Sequence, residues 1–323
     1  MDKQRDDAHS ETAGRKEILL VALGGNALIK KGQAGTAEEQ LLNLRTPMRQ
    51  IARLSARYKI LITHGNGPQV GNLLLQEECC DLLPKMPLEI LVAQTQGQIG
   101  YMIESTLDAE MAALGMETKD LVSLVSYVVV DPEDPAFKNP SKPIGPLYTP
   151  ARAAALPYPT VETPKGMRRV VASPRPVTIV EKREIKKLID MDFVVICCGG
   201  GGIPVIRKGR AFHGVDAVID KDLASARLAL EVGVDLFVIA TDVEGVFINF
   251  QGPGAELQKT LTLAQAARFG REGHFPPRSM GPKIEAATEF IRHGGTRAVI
   301  APINAIEDAI EGRAGTEIVG GEE

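Results

Sequence analysis

Three short apolar runs in this chain end at glycine. Ile18 to Leu23 runs into Gly24-Gly25-Asn26. Ile60 to Thr63 leads through His64 into Gly65-Asn66-Gly67-Pro68, and Phe193 to Cys198 runs into Gly199, Gly200, Gly201 and Gly202. Each run has the length and composition of a strand buried on both faces, as strands of a parallel sheet are. Between them lie longer amphipathic stretches. Thr36 with Glu39 forms a capping box that opens a helix to about Tyr58, and Leu88 to Leu114 carries helical spacing that Gly115 stops. Strands alternating with helices define an α/β fold with a mostly parallel sheet covered on both faces. In such a sheet ligands bind at the carboxyl ends of strands. Glycine there lets backbone N–H groups close on an anion, and a following helix adds its positive end. One such turn says little, because glycine is common in loops. Three in similar positions point to a highly charged anionic ligand.

The remaining pattern is consistent with one domain over residues 17–320, after a polar leader at 1–16 expected to be disordered. Leu121 to Val130, rich in valine, reads as a strand, as do Leu236 to Ala240 and Ala298 to Ala301. Val246 to Asn249 follows so closely that a tight turn or hairpin-like corner is expected at Asp242 to Gly245. Thr262 and Gln265 cap a short helix, and Ile284, Ala287 and Ile291 mark the face of another. No internal repeat is present. Residues 131–176 break the rhythm with Pro132, Pro135, Pro140, Pro143, Pro146, Pro150, Pro174 and Pro176, and carry Lys138, Lys142, Lys165, Arg168 and Arg169. A structureless stretch of this length is either a functional lid or a solvated insertion.

Composition removes several classes. A net charge of −4, aromatics at 4% and no tryptophan disfavour nucleic-acid binding. No apolar run reaches the ~18 residues of a membrane helix, and the start lacks the apolar core of a signal peptide. Cys79-Cys80 and Cys197-Cys198 lack zinc-ligand spacing. They read as reduced thiols of a cytosolic protein, the second pair buried in a strand. The Walker pattern is absent. Gly65, Gly67 and Gly71 imitate a dinucleotide fingerprint with the last gap one residue too long, which disfavours a Rossmann dehydrogenase.

Two lysines stand out. Lys221 lies between Asp220 and Asp222 at the opening of an amphipathic helix marked by Ile219, Leu223, Ala226 and Leu230. Lys283 opens another, after Ser279-Met280-Gly281-Pro282. A lysine at a helix N-terminus opposes the helix dipole, and is explained if it faces an anion. The plainer alternative is a solvated helix-end charge. Among the histidines only His64, beside a glycine turn, is a candidate for lining a site. No nucleophile elbow and no cluster of metal ligands is seen. Glycine turns with isolated lysines and no base suit phosphoryl transfer to an acceptor that is already an oxyanion, where catalysis is positioning and charge neutralisation.

The residues also resemble a known family. Val21-Ala22-Leu23-Gly24-Gly25-Asn26-Ala27, His64 to Asn72, Phe137-Lys138-Asn139-Pro140-Ser141-Lys142-Pro143-Ile144-Gly145, Cys198 to Pro204, Val215 to Asp222 and Gly273-His274-Phe275 with Ser279 to Lys283 are similar, in order, to the carbamate kinases of the amino-acid kinase superfamily. The resemblance implies an open αβα sandwich with a small protruding subdomain, and a homodimer in the cytoplasm. It implies reversible transfer between ATP and carbamate, giving carbamoyl phosphate and ADP, with Mg2+ carried by the nucleotide. In many members this is the last step of arginine fermentation. Gly24, Gly25 and Asn26 then match the turn near the transferred phosphate. Gly65, Asn66 and Gly67 match the acceptor side, and Gly199, Gly200, Gly201 and Gly202 a later loop lining the site. Lys142 matches a lysine brought over the substrate by the subdomain at 131–176. Lys221 and Lys283 match lysines along the phosphate and touching the nucleotide, and Asp222 the aspartate organising them. Thr241, Asp242 and Val243 fall where base and ribose lie. The family's Arg-Gly-Trp-Arg and Val-Pro-Ser-Pro read here Lys165-Gly166-Met167-Arg168 and Val171-Ala172-Ser173-Pro174, and the segment from Tyr148 to Thr163 is shorter. Two other readings are weighed: another acyl-phosphate-forming kinase acting on a larger carboxylate, and a nucleotide-binding regulatory protein without catalysis.

Overall fold

A computed structural model describes residues 15–80, 82–163, 166–250, 254–277 and 279–320. The leader, apart from residues 15 and 16, and Lys165 lie outside them. The core is an eight-stranded sheet in the order Thr260–Thr262, Thr316–Val319, Arg297–Pro302, Leu236–Thr241, Ile18–Leu23, Lys59–His64, Val194–Ile196, Leu121–Ser123. Every neighbouring pair is parallel except Arg297–Pro302 with Thr316–Val319.

The first strand shows why this is a three-layer α/β fold. All six residues of Ile18–Leu23 are buried. Ile18, Leu20 and Ala22 pack into one apolar cluster, with residues of the helices Lys182–Asp190, Lys221–Val232 and Met280–Arg292. Leu19, Val21 and Leu23 pack into the other, with residues of the helices Ala37–Leu54, Leu88–Ala113 and Ile306–Ile310. Alternation along a strand sends successive side chains to opposite faces, so an unbroken apolar run requires helices on both. Both capping boxes form: Thr36 with Glu39 opens Ala37–Leu54, and Thr262 with Gln265 opens Leu263–Arg271. No helix among the described residues is long and apolar enough to cross a membrane.

Several expectations change. Leu121 to Val130 is two strands in two sheets. Leu121–Ser123 edges the central sheet, and Tyr127–Val130 joins a four-stranded sheet with Ala211–Gly214, Ile203–Lys208 and Pro176–Ile179. The chain is turned at Ser126, whose N–H donates to Gln96 Oε1 at 2.8 Å and whose carbonyl accepts from Ile203 N at 2.8 Å. Cys197 and Cys198 are buried as expected, but they lie past the strand Val194–Ile196, with Cys198 in the left-handed region at φ 50°. Val246–Ile248 pairs with Glu256–Gln258, not with the strand before it.

Residues 131–176 are not structureless. They build a three-stranded antiparallel sheet, Lys142–Tyr148, Gly166–Val171 and Thr160–Thr163 in spatial order. Two short helices, Pro135–Lys138 and Pro150–Ala154, begin at proline, where the missing N–H is not needed.

Candidate active site

The three glycine turns follow Ile18–Leu23, Lys59–His64 and Val194–Ile196, consecutive strands of the sheet, so they converge at one edge. They also touch. A Cβ on Gly65 would sit 3.3 Å from the Gly25 nitrogen. A Cβ on Gly201, at φ +90°, would sit 2.3 Å from the Ile219 carbonyl oxygen. The third turn therefore lies directly beneath the segment entering the helix Lys221–Val232. Gln96 Nε2 donates to the Gly199 carbonyl at 3.0 Å, and Asn66 Nδ2 to Thr95 Oγ1 at 2.9 Å, so the long helix Leu88–Ala113 fixes the second and third turns. Of the three, only Gly65-Asn66-Gly67 leads into a long helix, Gly67–Cys79. The third leads into the strand Ile203–Lys208 and carries no helix dipole.

Above the first turn is a charge cluster. Asp220 caps the helix Lys221–Val232, its Oδ1 accepting from Asp222 N at 3.0 Å. Asp222, its side chain 6% exposed, pairs through Oδ1 with Lys221 Nζ at 2.8 Å and through Oδ2 with Lys283 Nζ at 3.0 Å. Burial disfavours the Asp222 charge, but the two ammonium groups outweigh it and hold its carboxyl below the usual carboxylate range. Burial lowers the Lys221 ammonium, Asp222 pushes it back up, and the Lys283 charge lowers it further. Lys221 and Lys283 thus share the Asp222 carboxylate beside a cleft of about 260 Å³. Gly24, Gly25, Asp220, Asp222, Thr241, Asp242 and Lys283 are among the residues lining that cleft.

The cleft continues into a second cavity of about 220 Å³ that shares Thr241, Asp242, Ser279 and Lys283 and adds Val243, Phe247, Phe250, His274, Pro276 and Met280. Phe247 and Phe250 meet with centroids 5.6 Å apart. A third, of about 950 Å³, lies between the small antiparallel sheet and the core. It shares Asp220 and Pro282 with the first and is lined by Lys142, Arg168 and Ser173 among others. Lys142 Nζ lies 2.8 Å from Asp220 Oδ2. Lys138, on the helix Pro135–Lys138, is exposed.

The residues expected from sequence thus fall into groups. Gly24, Gly25, Asp222, Lys283, Thr241 and Asp242 share the first cleft. Lys221 joins through Asp222, Val243 lines the second cavity, and Lys142 the third. The turns at Gly65 to Gly67 and Gly199 to Gly202 line none of these three and pack behind the first turn. His64 does not line the cleft: it is 1% exposed, its Nδ1 3.2 Å from the Gly65 carbonyl. The aromatic wall of Phe247 and Phe250 was missed, although both follow closely on the Asp242 to Gly245 turn. The role of Gln96 in holding the third turn carried no local signal.

An open α/β sheet with glycine turns under a Lys–Asp–Lys cluster defines a phosphotransferase of the amino acid kinase type, and the sequence profile of the amino acid kinase family matches residues 17–302. A carbamate kinase of Thermococcus kodakarensis is 45% identical over 311 residues, covering 93% of this chain and 98% of that one. A carbamate kinase of Pyrococcus furiosus is 43% identical over 310 residues, with 93% and 98% covered. Among solved structures, a carbamate kinase from Giardia lamblia bound to AMP-PNP superposes with a TM-score of 0.88 at 39% identity, covering 96% of this chain and all of that one. The chain belongs to the carbamate kinase branch of the amino acid kinase family.

Proposed function

We infer that this chain catalyses reversible phosphoryl transfer between ATP and carbamate, giving carbamoyl phosphate and ADP. The observation that carries the reading is the pair Lys221 and Lys283 held by one buried carboxylate over the Gly24-Gly25 turn, in a chain 40–45% identical to carbamate kinases. In the forward direction a carbamate oxygen forms a bond to the γ-phosphorus while the bond to the β,γ-bridging oxygen breaks. The electron pair leaves on ADP. Carbamate is already an anion, so no proton has to be removed and no general base is called for.

The chemistry left to the protein is charge neutralisation and alignment. Lys221 and Lys283 lie along the transferred phosphoryl group and offset charge on its oxygens, and Asp222 keeps them oriented. Gly24, Gly25 and Asn26 bring the first turn against the phosphate. Gly65, Asn66 and Gly67, with Gly199 to Gly202, shape the acceptor side. Thr241, Asp242 and Val243 receive ribose and base at the entrance to the Phe247–Phe250 cavity. Residues 131–176 act as the lid that carries Lys142 to the substrate. Mg2+ arrives with the nucleotide as part of the substrate, held by phosphate oxygens and water. Among the described residues no group of three His, Cys, Asp or Glu side chains is placed to hold a metal ion of its own. Family membership supports a homodimer in the cytoplasm that runs toward ATP where arginine is broken down.

The test is a coupled assay of purified protein with magnesium, ADP and carbamoyl phosphate, with acetyl phosphate in parallel. ATP from carbamoyl phosphate is the expected result. ATP from acetyl phosphate alone would favour another acyl-phosphate kinase. Nucleotide binding without ATP from either would favour the regulatory reading.

A further inference from the structure

One contact of the small antiparallel sheet with the core runs along residues 216–220, immediately before Lys221; elsewhere the sheet packs against the helix Gly67–Cys79, where the Tyr148 and Tyr158 hydroxyls donate to Glu78. Arg169 Nη2 donates to both oxygens of Asp216, at 2.9 and 2.7 Å, and Val218 N donates to the Ala172 carbonyl at 3.0 Å. The third link is Lys142 with Asp220, at 2.8 Å. The two ion pairs differ in setting. The Asp216 side chain is 61% exposed, whereas that of Asp220 is 15% exposed and lines both the phosphate cleft and the larger cavity.

A carboxylate at that junction is unfavourable for anion binding by itself, since like charges repel. What it does hold is definite. Oδ2 binds the lid lysine, and Oδ1 caps the turn that carries Lys221 and Asp222. An ammonium has three N–H donors, so Lys142 can donate one to Asp220 and keep two for an anion in the cavity. A lysine stem is flexible, and ordering it in advance removes an entropic cost from substrate binding.

We propose that Asp220 is a positioning residue: its carboxylate holds the Lys142 ammonium at the junction of the two cavities before carbamoyl phosphate arrives, and ties that seat to the first turn of the helix Lys221–Val232. This rests on the reading above that carbamoyl phosphate is the substrate and that Lys142 reaches it.

The experiment is a double-mutant cycle in steady-state kinetics, with carbamoyl phosphate and ADP varied separately. Asp220→Asn removes the charge but keeps an N-cap of equal quality, so the melting temperature falls only by what the partly exposed ion pair with Lys142 contributes, a few degrees at most. Its KM for carbamoyl phosphate rises about tenfold, while kcat and the KM for ADP change by less than about twofold. Lys142→Ala raises the same KM at least as far, and the double variant is no worse than Lys142→Ala alone. Asp220→Ser, also a good cap without charge, repeats the measurement should the Asn variant fold poorly. If Lys142→Ala is impaired while Asp220→Asn has an unchanged or lower KM, the positioning role is wrong and the lid-lysine reading survives. If the two effects simply add, Asp220 acts through the helix and not through Lys142, which also overturns it. A normal KM in Lys142→Ala removes the lid-lysine reading and the proposal together, with ATP synthesis intact.

Discussion

Lys283 Nζ and Asp222 Oδ2 lie 3.0 Å apart although 61 positions separate them in the chain. The other oxygen of the same carboxylate holds the adjacent Lys221 at 2.8 Å. Two helices therefore end at one charge. Met280–Arg292 contributes one cation in its first turn, and Lys221–Val232 contributes a cation and the anion. A buried ammonium without a counter-ion tends to shed its proton. The Asp222 carboxylate opposes that loss at Lys221.

Lys221→Ala and Lys283→Ala should each lower kcat by roughly 10²–10³, or about 2.7–4 kcal/mol of transition-state stabilisation. The KM for ADP should move far less, because the lost interaction belongs mainly to the charge that develops during transfer. A surface charge at a helix end would instead change stability by within ~0.5 kcal/mol and leave turnover alone. Near-normal turnover in both variants would return the two lysines to that role.

Asp222→Asn should be the more destructive change. It leaves two buried lysines facing each other without a counter-charge, and breaking a buried ion pair from one side removes about 3–5 kcal/mol of stability. Either lysine variant keeps Asp222 paired with the remaining ammonium, so both should unfold at higher urea than Asp222→Asn. The reverse order of urea midpoints would mean that the carboxylate is not what holds the cluster.

Much of this site was legible because its signals are local. Lys221 and Lys283 each oppose a helix dipole, a conflict visible in a few residues; Lys283 lines the first cleft, and Lys221 joins it through Asp222. Thr36 with Glu39 and Thr262 with Gln265 announced helix starts through the same kind of short-range chemistry. What stayed hidden depends on distant partners. Nothing around Asp220 indicates that it holds Lys142, 78 positions away. Valine-rich Leu121 to Val130 has no internal reason to break. The break comes from Gln96 taking the Ser126 N–H, and Gln96 sits mid-helix on another element. The prolines of residues 131–176 read as disruption, whereas Pro135 and Pro150 occupy first helical positions, which proline fits.

Phe247→Ala should separate the two substrates. Phe247 lines the cavity beyond Thr241 and Asp242 and packs against Phe250, away from Gly24 and Gly25. Truncating one side of an aromatic wall removes roughly 1–3 kcal/mol of base stacking. The KM for ADP should therefore rise by about 5- to 160-fold, with the KM for carbamoyl phosphate nearly constant. An equal rise in both constants would show that the ring supports the whole cleft and not the base.

His64 should give the fold a pH dependence of its own. It ends the strand Lys59–His64, fully enclosed, and burial lowers its pKa from 6.5 to about 4. The Gly65 carbonyl opposes that shift and the Lys221 charge adds to it. The unfolded chain takes up a proton at this imidazole near pH 6.5, while the folded chain refuses it until about pH 4. Stability is therefore fully present above the unfolded pKa and falls as pH drops through that window. The loss approaches ~1.4 kcal/mol per pH unit, for a total of about 3 kcal/mol. Asp222 acts in a lower window: its carboxyl is depressed, so its contribution persists above the ordinary carboxylate range and disappears only on further acidification. In the window between about pH 6.5 and pH 5 His64 lowers stability as pH falls, while Glu181, its carboxyl raised by burial, acts in the opposite sense above the ordinary carboxylate range. Urea midpoints of the wild type should fall steadily across that interval. His64→Asn, smaller but still neutral and polar, should lower stability at neutral pH and flatten the slope. A variant that keeps the wild-type slope would assign the pH dependence to other groups and leave His64 as packing alone.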